Sequence, residues 1–246
     1  MQTNEQVDFG VLDPKTTEVL EFPNGFHRFL RCEKGGPMHW PYPPELLQRR
    51  KNQHRAALGI LVEPHPERLM TILPLLDSCL HEHKFQSEPV DFFDFCRSLH
   101  RKGADVLWDL RCVLIKMQRP GTPQGWEWDA PGGIAEPKEW AGAHIRKIRE
   151  EMPGTTIVAS SLLFQNVQFA SGCLKEWYDI HVVLVPRVIG INQEEGAGDV
   201  TYVCIGEAQE TFERWAAVSP EDPSCSWVDG KVILGVERIL SRFSKF

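Results

Sequence analysis

The chain has 246 residues and a mass of 28.1 kDa, with 42% apolar and 25% charged residues. That composition excludes wholesale disorder, and a chain this long buries roughly 70–75% of its unfolded surface. Lys and Arg total 27 against 34 Asp and Glu, giving a net charge of −7 and a pI near 5.7. Such a balance argues against general binding to nucleic acid or to an anionic membrane, where local cation is needed.

The amino terminus, MQTNEQVDFG, has neither the basic start nor the apolar centre of a signal peptide. Ala56–Val62, the longest clean apolar run, is far short of the ~20 residues of a membrane span. The seven cysteines include no CxxC pair, which removes a zinc signature and a disulfide framework. Reduced thiols in a cytoplasmic protein are expected.

In residues 1–40 turn formers dominate, with breaks at Pro23-Asn24-Gly25 and Gly35-Gly36-Pro37. Glu45 to Arg55 reads as a helix with Pro44 at its start. Ala56–Val62 is a strand or the end of that helix, because a short apolar run fits both. Pro66–His81 reads as a helix kinked at Pro74, and Glu88–Leu99 as a second, with Phe92, Phe95, Cys96 and Leu99 on one face and Lys102-Gly103 closing it.

Beyond Gly103 the pattern changes. Val106–Met117 reads as a strand, followed by a Pro/Gly loop to Gly125, then Trp126-Glu127-Trp128 and Pro131-Gly132-Gly133. A helix is expected from Pro137 to Met152. Strands are expected at Ile157–Phe164, Trp177–Val188, Val200–Ile205 and Glu210–Val218, and a helix at Gly230–Phe243. The predicted organisation is a mixed α/β domain over 104–246 behind a mainly helical extension over 1–103.

The segment Trp126–Gly154 carries the chemistry. Ala141, Ile145, Ile148 and Met152 recur at helical spacing and predict the buried stripe of a helix. Glu139, Arg146 and Glu150 fall together on another side, and Glu151 lies about 100° round from Glu150. Adjacent carboxylates beside a glycine turn suit a hard divalent cation such as Mg²⁺, which takes oxygen ligands and bridges to phosphates.

These residues resemble the Nudix hydrolase family, whose box reads G-x5-E-x7-R-E-U-x-E-E-x-G-U with U apolar. Ungapped, five of nine specified positions fit: Gly132, Arg146, Ile148, Glu150 and Glu151. Lys147 stands where the first helix glutamate belongs, Lys138 where the upstream glutamate belongs, and Pro153 where the closing glycine belongs. A one-residue deletion matches Gly133 and Glu139 instead, and a one-residue insertion brings in Gly154. Upstream, Gln118-Arg119 and Trp126 to Gly133 are similar to the family's arginine and its strand and turn. Downstream, Glu210 to Trp215 resembles its acidic segment.

The resemblance implies an α+β fold, a Nudix-type α/β/α sandwich with a mixed sheet. It implies Mg²⁺- or Mn²⁺-dependent cleavage of the diphosphate bond of a nucleotide-linked or other organic diphosphate, prenyl diphosphates included. Glu150 and Glu151 would be the metal ligands and Glu139 their catalytic support. Arg119, Trp126, Gly132, Gly133, Arg146 and His181 would line the substrate. The expected partner is a small-molecule diphosphate, with no membrane and no general nucleic-acid binding; a homodimer is among the assemblies allowed. The alternative is a Nudix-fold protein without hydrolysis, either a ligand- or protein-binding module or a metal-independent isomerase or lyase.

Simpler readings stand beside these. Glu150-Glu151 can be a solvated helix end, Arg119 a surface arginine, and Trp215 core. His181, inside an apolar strand, can be a packed histidine or a general acid/base. Glu127, Asp129, Glu194, Glu195, Asp199, Glu207 and Glu210 are substitute metal ligands should Lys147 weaken the box.

Overall fold

The computed structural model describes residues 56–83, 90–118, 125–135, 142–171, 174–193, 197–218, 222, 226 and 228–245. The ambiguous apolar run proves to be the strand around which the rest is arranged. This strand, β1 (Ala56–Pro64), is buried along its whole length. It joins β2 (Leu110–Gln118), β3 (Trp126–Asp129), β4 (Gly132–Ile134), β5 (Ala159–Ser171), β6 (Leu174–Leu184) and β7 (Ala197–Cys204) in one seven-stranded mixed sheet. The helices are α1 (Leu69–His83), α2 (Phe92–Arg101), α3 (Ala143–Glu151), α4 (Ala208–Ala217) and α5 (Gly230–Phe243).

β1 runs parallel to β6, from Ala56 opposite Tyr178 to Val62 opposite Leu184. Its other edge changes partner along its length. Leu61 to Pro64 pair antiparallel with β2, whereas Ala56 to Leu58 pair antiparallel with β4. The sheet therefore forks near Gly59, whose N–H donates to Pro131 O at 2.9 Å. β3 leaves the fork paired to β2, with Ile115 opposite Asp129. A backbone that splits in this way opens the strand ends on which β3 and β4 sit.

Side chains alternate across β1 and build two cores. Leu58, Ile60 and Val62 face the larger one, with Ile72 and Leu76 of α1, Phe92 and Phe95 of α2, and Val232 and Val236 of α5. Leu61 faces the smaller one, with Ile148 and Met152 at the end of α3, Val113, Ile115 and Val183. The molecule is thus α+β, with helices on both faces of a mixed sheet. Each fully buried aliphatic side chain contributes about 1.5–3 kcal/mol. The α5 backbone lies against the sheet at Gly235, where an added Cβ would fall 2.0 Å from Ile60 Cδ1.

The boundary expected at residue 103 falls inside this unit, since β1, α1 and α2 supply the same core as β2 to β7. The helix expected at Glu45–Arg55 lies outside the described residues. Glu210–Val218, expected as a strand, belongs largely to α4. Its apolar residues Phe212 and Trp215 stand three apart and meet at 5.9 Å, the spacing of one helical face.

Candidate functional site

The sequence Ala143–Glu151 forms α3 as expected, but its buried face is shifted toward His144 and Glu151. His144, Ile148, Glu151 and Met152 are buried, while Ile145 is not. The expected stripe through Ile145 is corrected by what the sheet offers. Ile148 enters the space left by Gly59, where a Cβ would lie 2.9 Å from Ile148 Cδ1, and His144 lies on His181 of β6. Ile148 and Met152 of the expected stripe stay buried, Ala141 lies outside the described residues, and the buried face extends to Glu151, at 2% exposure, with Glu150 half-buried at the rim.

Two contacts hold α3 against the glycine strand, and two ion pairs within the helix support them. Arg146 Nη2 donates to Ile134 O at 2.9 Å, and its Nη1 pairs with Glu150 Oε1 at 2.8 Å. Lys147 lies over Gly133, where an added Cβ would be 2.6 Å from Lys147 Cε. Its Nζ reaches Glu150 Oε2 at 2.7 Å. Gly132 is equally confined, with Leu58 Cδ1 2.9 Å from an added Cβ. The two glycines are therefore demanded by close approach, of Leu58 to one and of the Lys147 stem to the other.

The end of α3 is closed by Asn192, whose N–H donates to Glu151 O at 2.8 Å and whose Nδ2 donates to Glu150 O at 3.1 Å. Gly154, at φ 80°, turns the chain away in the left-handed region. Outside the helix lies an open recess of about 500 Å³ lined by Gly142, Ile145, Arg146, Arg149 and Glu150.

Both oxygens of Glu150 face cations. Lys147 first, then Arg146, hold its carboxyl below the ordinary range. It stays ionised at neutral pH, which suits a metal ligand, but Lys147 occupies the oxygen an ion would take. Among the described residues, Glu150 and Glu151 have no third metal-binding side chain gathered with them. Their donor chemistry fits a hard divalent cation. A half-exposed Lys–Glu pair is worth at most about 1 kcal/mol, too little to bar an ion outright.

Trp126 meets Trp128 edge-on at 5.4 Å, and Lys116 Nζ stands 4.1 Å over the Trp126 ring. His181 is stacked on His144, with centroids 3.7 Å apart. Arg119 and Glu139 lie outside the described residues, as do Lys138, Glu194 and Glu195.

A second cluster was half legible. Glu127 and Asp129 on β3 meet Asp229, which precedes α5, and their carboxylate oxygens lie within 4.8 Å of one another. All three are buried. Asp229 caps α5 by accepting from Lys231 N–H at 2.7 Å and pairs with Lys231 Nζ. That ammonium also stands 4.7 Å over the Tyr178 ring. Burial alone would lower the Lys231 pKa; Asp229, then Tyr178, Asp129 and Glu127, outweigh it and hold it well above the ordinary value. Asp229 escaped the sequence reading because no spacing links it to β3. An Asp directly before Gly230 and an apolar helix was the available signal, and it points to a cap.

No family model matches the chain, and no curated protein matches its sequence. Solved structures do match in shape. RenU, a Nudix hydrolase from M. smegmatis, aligns at 14% identity over 79% of this chain and 88% of its own, with a TM-score of 0.40. A C. elegans Ap4A hydrolase in a binary complex aligns at 10% identity over 78% and 99%, with a TM-score of 0.41. A Nudix hydrolase from Nitrosomonas europaea aligns at 11% identity over 77% and 89%, also at 0.41.

Proposed function

We propose that this chain is a Nudix-type hydrolase that cleaves the diphosphate bond of an organic diphosphate, nucleotide-linked or prenyl, with Mg²⁺ or Mn²⁺. The carrying observation is the clamp of α3 on β4. Arg146 ties the helix to Ile134 O and orients Glu150, while Lys147 packs its stem over Gly133. Glu150 and Glu151 would hold the ion, and Glu139 would support it. Bound Mg²⁺ supplies polarisation of a phosphoryl oxygen and a water nucleophile at neutral pH. The protein's own part is to hold α3 to β4 through Arg146 and to fix its end through Asn192; Glu150 would bind the ion with the oxygen that Lys147 now holds. Arg149, on the rim of the recess, would meet a phosphate there.

A second reading, a Nudix-fold binding module without hydrolysis, is favoured by one observation. Lys147 and Arg146 together already neutralise Glu150. In that reading Lys147 takes the ion's place and greets the anionic ligand itself. A release assay over nucleotide-sugar, dinucleotide, coenzyme and prenyl diphosphates, with and without Mg²⁺, separates the two. Hydrolysis predicts metal-dependent turnover of at least one class. Binding of a diphosphate without turnover supports the module.

A further inference from the structure

The seat of α3 on the sheet contains a feature that the diphosphate reading does not use. His144, in the first turn of α3, is 3% exposed and lies flat on His181, with ring planes 8° apart. Its Nε2 is 3.3 Å from Ser160 Oγ on β5, and its Nδ1 is buried without a hydrogen-bond partner. β6 presents Asp179 and His181 to it, and β5 the Ser160 hydroxyl. β1 presents Gly59 and Leu61 beneath α3 and, further along, Glu63, which is engaged by Arg111 and the Val188 N–H. β4 adds glycines.

Two neutral imidazoles stack well in such a place. A proton on His144 would put a full charge in a dry seat, face to face with a second imidazole, with Asp179 as its nearby anion. We propose that the stacked His144–His181 pair is an acid-sensitive latch: neutral, it seats α3 on β5 and β6, and on protonation it frees the helix and the carboxylates at its end. The pair joins elements of different chain segments, so its loss loosens the helix rather than one side chain.

The direction of the effect follows from linkage. Burial first, then His181, lower the His144 pKa from 6.5 to about 3, against a smaller opposing effect of Asp179. Opening restores the ordinary value, so α3 takes up a proton when it opens. Stability of the closed seat is complete above pH 6.5 and is lost as pH falls below it. Between pH 7 and pH 5, one such proton raises the opening constant about 25-fold.

Native-state hydrogen exchange on the full chain tests this. Amides of Arg146, Lys147 and Ile148 are compared with those of Val236 and Ile239 in α5 at pH 7, 6 and 5, after correction for intrinsic rates. The latch predicts that α3 amides lose at least tenfold more protection than α5 amides between pH 7 and pH 5. It also predicts that His144→Phe, which keeps a ring on His181 but cannot titrate, abolishes that difference. Equal change in α3 and α5 overturns the proposal, as does an unchanged acid response in His144→Phe. If that variant does not fold, the comparison of the two helices in the unaltered protein decides alone.

Discussion

Lys147 is the residue on which the metal reading turns, and replacing it has a calculable consequence. Its Nζ lies 2.7 Å from Glu150 Oε2, so an ion on that oxygen would stand within ~5 Å of the ammonium unless the side chain moved. A unit and a double positive charge at ~5 Å repel by about 1.7 kcal/mol even at the dielectric of water. Lys147→Ala removes that repulsion, and Lys147→Glu reverses it, for about 3.3 kcal/mol in all. Swinging the lysine aside reduces both figures, at the cost of the contact between its stem and Gly133. The expected gain in Mg²⁺ affinity is therefore about tenfold for alanine and ten- to a hundredfold for glutamate, at ~1.4 kcal/mol per factor of ten. Titration calorimetry with Mg²⁺ and Mn²⁺ on the three proteins reads this directly. No binding in any of them at millimolar ion would exclude a metal site at Glu150 and leave the ligand-binding reading. Equal affinity in all three would show that the ion sits elsewhere.

Other expectations concern the frame of the site. Lys231→Met leaves three buried carboxylates without their ammonium and should cost about 3–5 kcal/mol at pH 7, read as a fall in thermal midpoint. A thermal midpoint equal to that of the unaltered protein would contradict it. Arg146→Lys cannot reach both Ile134 O and Glu150 with a fixed fork, and should loosen α3 and lower turnover with little change in the exchange of α5 amides. Gly235→Ala should destabilise by about 1–3 kcal/mol in chemical denaturation, because its Cβ would meet Ile60 2.0 Å away.

Much of the architecture was legible because long periodic segments announce themselves. The helix Gly230–Phe243 has the bounds expected, with Asp229 as its cap. α2 carries its aromatic face, Phe92 to Leu99, on the core as read. Two features were not legible, for the same reason. Ala56–Val62 is too short and too uniformly apolar to show a period, so its place as the forked central strand depends on partners far along the chain. The burial of His144 in place of Ile145 likewise depends on Gly59 and His181, which receive Ile148 and His144. Isoleucine at 145 outranks histidine at 144 on any hydrophobicity scale, yet a stacked imidazole partner reversed the order of burial. The motif drew attention to Gly133 and Arg146, which lie at the contact of β4 with α3, while the Glu127–Asp129–Asp229 cluster needed the fold to assemble it.

Metal-dependent cleavage of a diphosphate at the end of α3 can be followed as product release from a panel of organic diphosphates with Mg²⁺, in the unaltered protein and in Glu150→Gln. That substitution keeps the size of the side chain and removes the charge that Arg146 and Lys147 now hold. Hydrolysis at this site predicts release of a phosphate-bearing product from at least one substrate class. It also predicts loss of that release when Mg²⁺ is chelated, and a fall of at least a hundredfold in Glu150→Gln with the thermal midpoint preserved. Turnover that survives Glu150→Gln undiminished, or tight diphosphate binding with no turnover in any metal, would contradict it.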